Sequence, residues 1–356
     1  MPNSKRVLVI KLKQPGDVLV STPVIAALKE AWPDCRLTYL VPQGTEEMVA
    51  GHPGLDELLV VDRRGETWGQ ALGLVRELRR RRFHLVIELS GGDRGAIYAF
   101  LSRAPVRVGL AHPGQPFWRR RCFTRLLPRP PVKMHMVEQN LEALRALGIE
   151  PRNPKLQFFW DLAAADRVRE LLAALNLAPG DFVVMHPGAG WRFKCWTAGG
   201  YARVLEAVQR DWDLPVVLTG SRAALEQELL AEILQESRVE PINLMGRLSL
   251  KELGALIAQA RFFFGVDSAP MHLAAAVGTP AVALFGPSGV FNWGPWGQGH
   301  LVLHKDWDCL PCGRDGCEGS KVSRCLVELT AAEVLQRLEE WPGRRGGAPT
   351  APTPLD

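Results

Sequence analysis

With 356 residues the chain exceeds one ordinary domain and favours two cores of about 150 residues each, and its 47% hydrophobic and 23% charged composition excludes a disordered or fibrous class. No apolar run reaches the roughly 18 residues that cross a bilayer, which excludes a helical membrane protein. The net charge of +5 is gathered in Arg79, Arg80, Arg81 and Arg82 and in Arg119, Arg120, Arg121, Arg125 and Arg129; without aromatic platforms among them these runs argue against nucleic acid, and they read either as a solvated helix face and a mobile loop or as attraction for phosphorylated lipid headgroups.

The first apolar run, residues 7–12, reads as a strand. It is short, broken by Lys11 and Lys13, and followed by no small-residue cleavage site, so secretion is not expected. The seven cysteines, an odd number, then read as thiols or ligands in a reducing compartment rather than as a disulfide framework. Thr22 offers an N-cap with Pro23 at the first helical position, opening a helix to about residue 31. Strand patterns follow at 36–41, 57–61, 85–89 and 106–110 with helical stretches between several of them, the alternation of a parallel, doubly wound sheet. After a Pro- and aromatic-containing connector at 148–160 the pattern restarts with strands at 182–186, 216–219, 262–266 and 281–285. We therefore expect an α/β protein of two Rossmann-like domains, 1–160 and 161–342, with a central cleft between them and a disordered Gly-, Pro- and Thr-rich tail at 343–356.

Ligands of open α/β sheets bind beyond the carboxyl ends of the strands, so three loops carry the functional reading. In Lys13-Gln14-Pro15-Gly16-Asp17 the carboxylate of Asp17 stands at a helix start, where it either caps the helix or accepts a proton. The second loop, His186-Pro187-Gly188-Ala189-Gly190-Trp191-Arg192-Phe193-Lys194-Cys195-Trp196, sets glycines beside two cations ahead of a helix capped by Thr197. That suits a diphosphate, although it is neither a P-loop nor a dinucleotide fingerprint and an ordinary strand-to-helix turn would also account for it. In the third, Asp267 and Ser268 stand at a helix entrance with Ala269, Pro270 and His272 in the first turns, a place for an anion or a sugar hydroxyl; His272 there is either a packing residue or a ligand contact.

These motifs, in this order, resemble glycosyltransferase family 9, the lipopolysaccharide heptosyltransferases, from residue 5 to about 341. Lys13-Gln14-Pro15-Gly16-Asp17-Val18 with Thr22-Pro23 is similar to the family's first-loop motif, and Asp267-Ser268-Ala269-Pro270-Met271-His272-Leu273-Ala274-Ala275-Ala276 with Leu284-Phe285-Gly286-Pro287 to its most distinctive one. Arg192-Phe193-Lys194-Cys195-Trp196, Asn292-Trp293-Gly294-Pro295-Trp296 and Cys312-Gly313-Arg314-Asp315-Gly316-Cys317 look most like the heptosyltransferase III branch.

The resemblance implies a GT-B fold, with acceptor held mainly by the N-terminal domain, donor mainly by the C-terminal one, and a last helix, 331–341, crossing back toward the first domain. It implies inverting transfer of heptose from ADP-L-glycero-D-manno-heptose to an inner-core heptose of lipopolysaccharide, with no metal needed for catalysis. Asp17 is then the expected base and Lys194 the stabiliser of the leaving diphosphate, with Gly16, His186, Gly188, Glu226, Asp267, Ser268, Ala269, Pro270 and His272 in contact with substrate; Glu226, by its motif position, faces the adenosine ribose. The expected location is the cytoplasmic face of the inner membrane, held peripherally by charge and acceptor contacts that salt weakens.

Cys309, Cys312, Cys317 and Cys325 have the spacing of a tetrahedral thiolate site, so a structural zinc or iron ion is a candidate there, packed thiols being the alternative. Three other functions compete: a heptosyltransferase with another acceptor, including a protein side chain; a silent sugar-nucleotide-binding protein; and a nicotinamide oxidoreductase. Against the last, neither half carries GxGxxG after its first strand.

Overall fold

Short apolar runs bounded by Gly, Pro and Asp become interior parallel strands when helices cover both faces and leave no side polar. The computed structural model of the chain describes residues 5–62, 67–111, 114, 116–128, 130–152 and 154–345. Arg129 and residues 346–356 of the expected tail lie outside the described residues. The chain divides into two units, Met1–Phe159 and Trp160–Asp356.

In the first unit, β1 (Arg6–Ile10), β2 (Arg36–Pro42), β3 (Glu57–Val61), β4 (Leu85–Glu88), β5 (Val106–Leu110) and β6 (Arg125–Leu127) lie in the order β3-β2-β1-β4-β5-β6. Each neighbouring pair is parallel, with Val9 opposite Tyr39 on one side and Ile87 on the other. The helices are α1 (Pro15–Leu19), α2 (Pro23–Ala31), α3 (Trp68–Arg80), α4 (Asp93–Leu101), α5 (Phe117–Arg120) and α6 (Met136–Arg145).

The second unit repeats the plan. Its strands β7 (Val183–His186), β8 (Val216–Leu218), β9 (Ile242–Asn243), β10 (Phe262–Val266), β11 (Ala281–Leu284) and β12 (Leu301–Leu303) run β12-β11-β10-β7-β8-β9, again parallel. Its helices are α7 (Leu162–Ala174), α8 (Ala198–Arg210), α9 (Ala224–Glu236), α10 (Leu250–Ile257), α11 (Ala269–Ala276), α12 (Val290–Trp293), α13 (Arg324–Val327) and α14 (Ala331–Glu340). In both units the chain adds strands outward on one side of the first strand, then returns to pair its fourth strand on the other side. The carboxyl-end crevices at β1/β4 and β7/β10 are therefore topological switch points.

Several local expectations are corrected. The first loop is partly helical: Pro15 opens α1, with Gln14 extended as its N-cap, so Asp17 sits in a helical turn. Thr22 is the N-cap residue of α2 with Pro23 at the first helical position, as expected, but its side chain makes no capping bond; its hydroxyl donates to Leu19 O at 2.8 Å, continuing the turn from α1. The edge strands β6, β9 and β12 are only two or three residues long and carry no periodic pattern to read. The last helix buries Val334 and Leu338, one turn apart, with Trp341 in the core of the second unit; Trp341 meets Phe262 edge-on at 5.7 Å. Residues 343–345, expected in the disordered tail, belong to a 3-10 turn, Pro342–Arg345, whose Arg344 lies over the Trp212 ring at 4.8 Å.

The arginine runs are not uniformly solvated either. Arg119 is 2% exposed and pairs with the fully buried Glu88 at 3.4 Å, while Arg81 pairs with Glu57 and Glu77.

Candidate active site

In the second unit three adjacent strands deliver polar residues to the β7/β10 switch point. His186 ends β7, Thr219 follows β8 and Asp267 follows β10. His186 Nδ1 and Thr219 Oγ1 are 3.0 Å apart in a buried hydrogen bond. Burial holds the His186 imidazole below its usual pKa, with the charge of Glu226 opposing that shift, so a neutral ring is favoured. Asp267, 7% exposed, accepts a 2.6 Å bond from the Lys194 ammonium, which is 27% exposed. Two residues that the sequence offers as separate sites thus form one charge-assisted pair.

Asp267 runs directly into α11. Ser268 is its extended N-cap, yet its side chain caps nothing, and its buried Oγ has no hydrogen-bond partner among the described residues. A buried hydroxyl at a helix N-terminus, where amide dipoles favour negative charge, suits an anionic or hydroxyl-bearing ligand. Ala269 and Pro270 form the first turn, and His272, 2% exposed, lies 6.3 Å from the Trp293 ring.

The loop after β7 is pinned from below. Tyr201 donates to Pro187 O at 3.1 Å, Ser323 donates to Phe193 O at 2.7 Å, and Trp196 Nε1 donates to Leu329 O at 2.8 Å. Thr197 caps α8 through Gly200 N, as its position suggests. Glu226, in the first turn of α9, is 8% exposed and its Oε2 accepts from Ser221 N at 2.6 Å. Gly188 makes room for it, since a Cβ there would sit 2.6 Å from the Glu226 carboxyl carbon. His186, Gly188, Thr219 and Glu226 are therefore one cluster, and Lys194, Asp267 and Ser268 another.

In the first unit Gly16 is buried and Asp17 half-buried on α1. The Asp17 carboxylate accepts no hydrogen bond from the described residues. Lys11, one residue beyond β1, is 1% exposed; its ammonium donates to Leu89 O at 3.1 Å and to Asn140 Oδ1 at 3.0 Å. Asn140 in turn donates to Val20 O at 3.2 Å, the C-cap residue of α1. Burial pulls the Lys11 pKa down while the charges of Asp17 and Glu88 push it up.

A model of glycosyltransferase family 9 (heptosyltransferase) matches residues 71–323. The chain belongs to glycosyltransferase family 9. Over 334 residues, 91% of this chain and 96% of the relative, it is 32% identical to lipopolysaccharide heptosyltransferase 3 of Escherichia coli. Among solved structures it superposes on the family 9 glycosyl transferase of Veillonella parvula with a TM-score of 0.84 at 24% identity, covering 96% of this chain and 98% of that one. On E. coli ADP-heptose LPS heptosyltransferase II the TM-score is 0.75 at 22% identity, over 94% and 98% of the two chains. These likenesses and the two six-strand parallel sheets give the fold as GT-B, built of two Rossmann-like doubly wound domains.

Among the described residues no group of three or more His, Cys, Asp or Glu side chains could hold a metal ion. Cys309 is exposed, whereas Cys325 is buried on α13 and packs under Gly286. Burial, with the neighbouring Cys317, pushes the Cys325 thiol up to about 11, so the neutral form prevails. The tetrahedral thiolate site suggested by the spacing is not formed. All seven cysteines are free thiols.

The sequence reading missed Thr219, Lys11 and Asn140 as polar partners around the site. Thr219 had a weak signal, since it directly follows an apolar run. Lys11 was legible only as an interruption of the first strand.

Proposed function

We propose that this family 9 glycosyltransferase transfers heptose, with inversion, from ADP-L-glycero-D-manno-heptose to a heptose of the lipopolysaccharide inner core. What supports this substrate class is the near full-length likeness to an E. coli lipopolysaccharide heptosyltransferase. The single observation that carries the chemical reading is the Lys194–Asp267 pair at 2.6 Å beside the N-terminus of α11, with the unpartnered Ser268 hydroxyl next to it.

In this reading the donor diphosphate lies over Lys194 and the first turn of α11. Negative charge grows on the diphosphate as the bond to the anomeric carbon breaks, and a fixed ammonium with oriented amides stabilises it without reorganising. Asp267 holds Lys194 in place and orients sugar hydroxyls, with Ser268, Ala269, Pro270 and His272 lining the same turn. His186, Gly188 and Glu226 form the nucleoside side, Glu226 facing the ribose through the oxygen that Ser221 leaves free. The acceptor hydroxyl attacks the face opposite the diphosphate, and its proton passes to Asp17 beside Gly16. No metal takes part in these steps.

The enzyme works at the cytoplasmic face of the inner membrane, attached peripherally to a lipid-anchored acceptor. No helix among the described residues is long and apolar enough to cross a membrane.

Calorimetric titration with ADP-heptose tests the donor site. Lys194→Met is expected to weaken binding about tenfold to a hundredfold, the contribution of one charged hydrogen bond. Lys194→Met combined with Asp267→Asn, which strands no charge, serves as the check on folding. Equal affinity in the folded Lys194→Met variant would remove Lys194 from the diphosphate site.

A further inference from the structure

Away from the sheet ends, the first unit carries an apolar surface that the transfer reaction leaves unused. On α3, Trp68, Leu72, Val75 and Arg79 recur at intervals of four, three and four residues, and on α4, Ile97 and Leu101 recur at four, so each set forms one stripe. The two stripes face each other across a groove of about 360 Å³ whose lining includes Trp68, Leu72, Val75, Ile97, Tyr98 and Leu101. Much of this surface is open to solvent: Trp68 is 88% exposed, Leu72 54% and Ile97 42%. A contiguous apolar patch of this kind marks an interaction site, because nothing in folding alone requires a tryptophan in water.

Next to the groove lies a second hollow, about 450 Å³, lined by Arg6, Arg79, Arg82 and Arg103 together with His84 and Ser102. Arg79 joins the two, its Nε donating to Leu101 O at 3.0 Å, and Arg6 Nε likewise donates to Arg82 O at 3.2 Å. Among the described residues no carboxylate pairs with any of these four guanidiniums, in contrast to Arg81 and Arg119 nearby in sequence. Four cations around one hollow, none paired with a carboxylate, favour an anion, and the contiguous apolar groove favours hydrocarbon.

We propose that the α3–α4 face docks on an anionic bilayer, with Trp68, Leu72 and Ile97 entering the acyl boundary while Arg6, Arg79, Arg82 and Arg103 take headgroup phosphates. This rests on the peripheral attachment proposed above and gives it a surface. It also changes its character: apolar insertion outlasts salt that releases a purely electrostatic contact, whereas the arginine share is screened.

The experiment is co-sedimentation of the full chain with vesicles of phosphatidylethanolamine and phosphatidylglycerol, against vesicles of phosphatidylcholine alone. Preference for the anionic vesicles is expected, with a fraction retained at high salt. Trp68→Ser with Leu72→Ser, both solvent-facing and outside the transfer machinery, lowers binding about tenfold or more. Arg79→Ser with Arg82→Ser lowers it about thirtyfold and flattens the salt dependence. Wild-type vesicle binding by the Trp68/Leu72 variant overturns the proposal, as does a dimer in sedimentation equilibrium that the same variant breaks, since a second copy would then cover the groove. The assay needs neither donor nor acceptor. Vesicle binding without heptose transfer therefore leaves the surface standing and counts against the reaction, while transfer to a water-soluble acceptor by a protein that ignores anionic vesicles refutes the surface alone.

Discussion

Lys11 and His186 are both polar residues at the ends of strands otherwise built of apolar side chains, and each survives burial by a different device. Lys11 donates to a carbonyl and an amide contributed from 78 and 129 residues away, which satisfy its ammonium donors while burial pulls its pKa down. His186 gives its charge up, because burial holds its pKa below the usual imidazole range and Thr219 satisfies the neutral ring. The consequence is a pH dependence with a definite sign. In the unfolded chain the imidazole takes a proton near pH 6.5, whereas in the folded protein it resists protonation, so its stabilising share is present above about pH 6.5 and is lost as pH falls below it. Thermal unfolding of the wild type is expected to drop more steeply between about pH 7 and about pH 5.5 than that of His186→Gln; parallel curves would mean that this ring does not carry the effect. Sequence reading placed His186 and Asp267 among the functional residues because each follows an apolar run. It could not join Lys194 to Asp267, since the partners are 73 residues apart and only the assembled sheet brings them together.

At the scale of elements, the strands buried on both faces were legible to within two residues: β10, Phe262–Val266, is wholly buried and reads as a continuous apolar run. The edge strands β6, β9 and β12 were not, because pairing on one side only asks little of two or three residues. Helix α1 was hidden by Pro15 and Gly16, which signal a loop but here start a five-residue turn. So short a helix holds its shape through outside contacts. Asn140 supplies one, linking buried Lys11 to the carbonyl of Val20 where α1 ends. Asn140→Ala is expected to lose about 1–3 kcal/mol of stability in urea unfolding, and to lower kcat while the KM for ADP-heptose stays unchanged, since α1 is no part of the proposed donor site. A raised donor KM with kcat intact would contradict that division.

At the scale of the molecule, one strand order is used twice, and each copy offers a switch point with its own chemistry: a carboxylate on a helical turn in the first unit, an ammonium–carboxylate pair at a helix N-terminus in the second. That pattern of two doubly wound units was legible from the restart of strand–helix alternation after residue 160. The packing of α14 on its own unit was not, because an amphipathic stripe such as Val334 and Leu338 says that a face is buried but not against what. Heptose transfer with Asp17 as the proposed base is tested most directly by mass spectrometry of truncated lipopolysaccharide incubated with ADP-heptose and either wild type or Asp17→Ala. Heptose addition by the wild type is expected, with a fall of about 10²–10⁴-fold in Asp17→Ala and donor affinity retained; transfer by a folded Asp17→Ala at the wild-type rate, or donor binding without transfer by the wild type to any acceptor, would contradict that role.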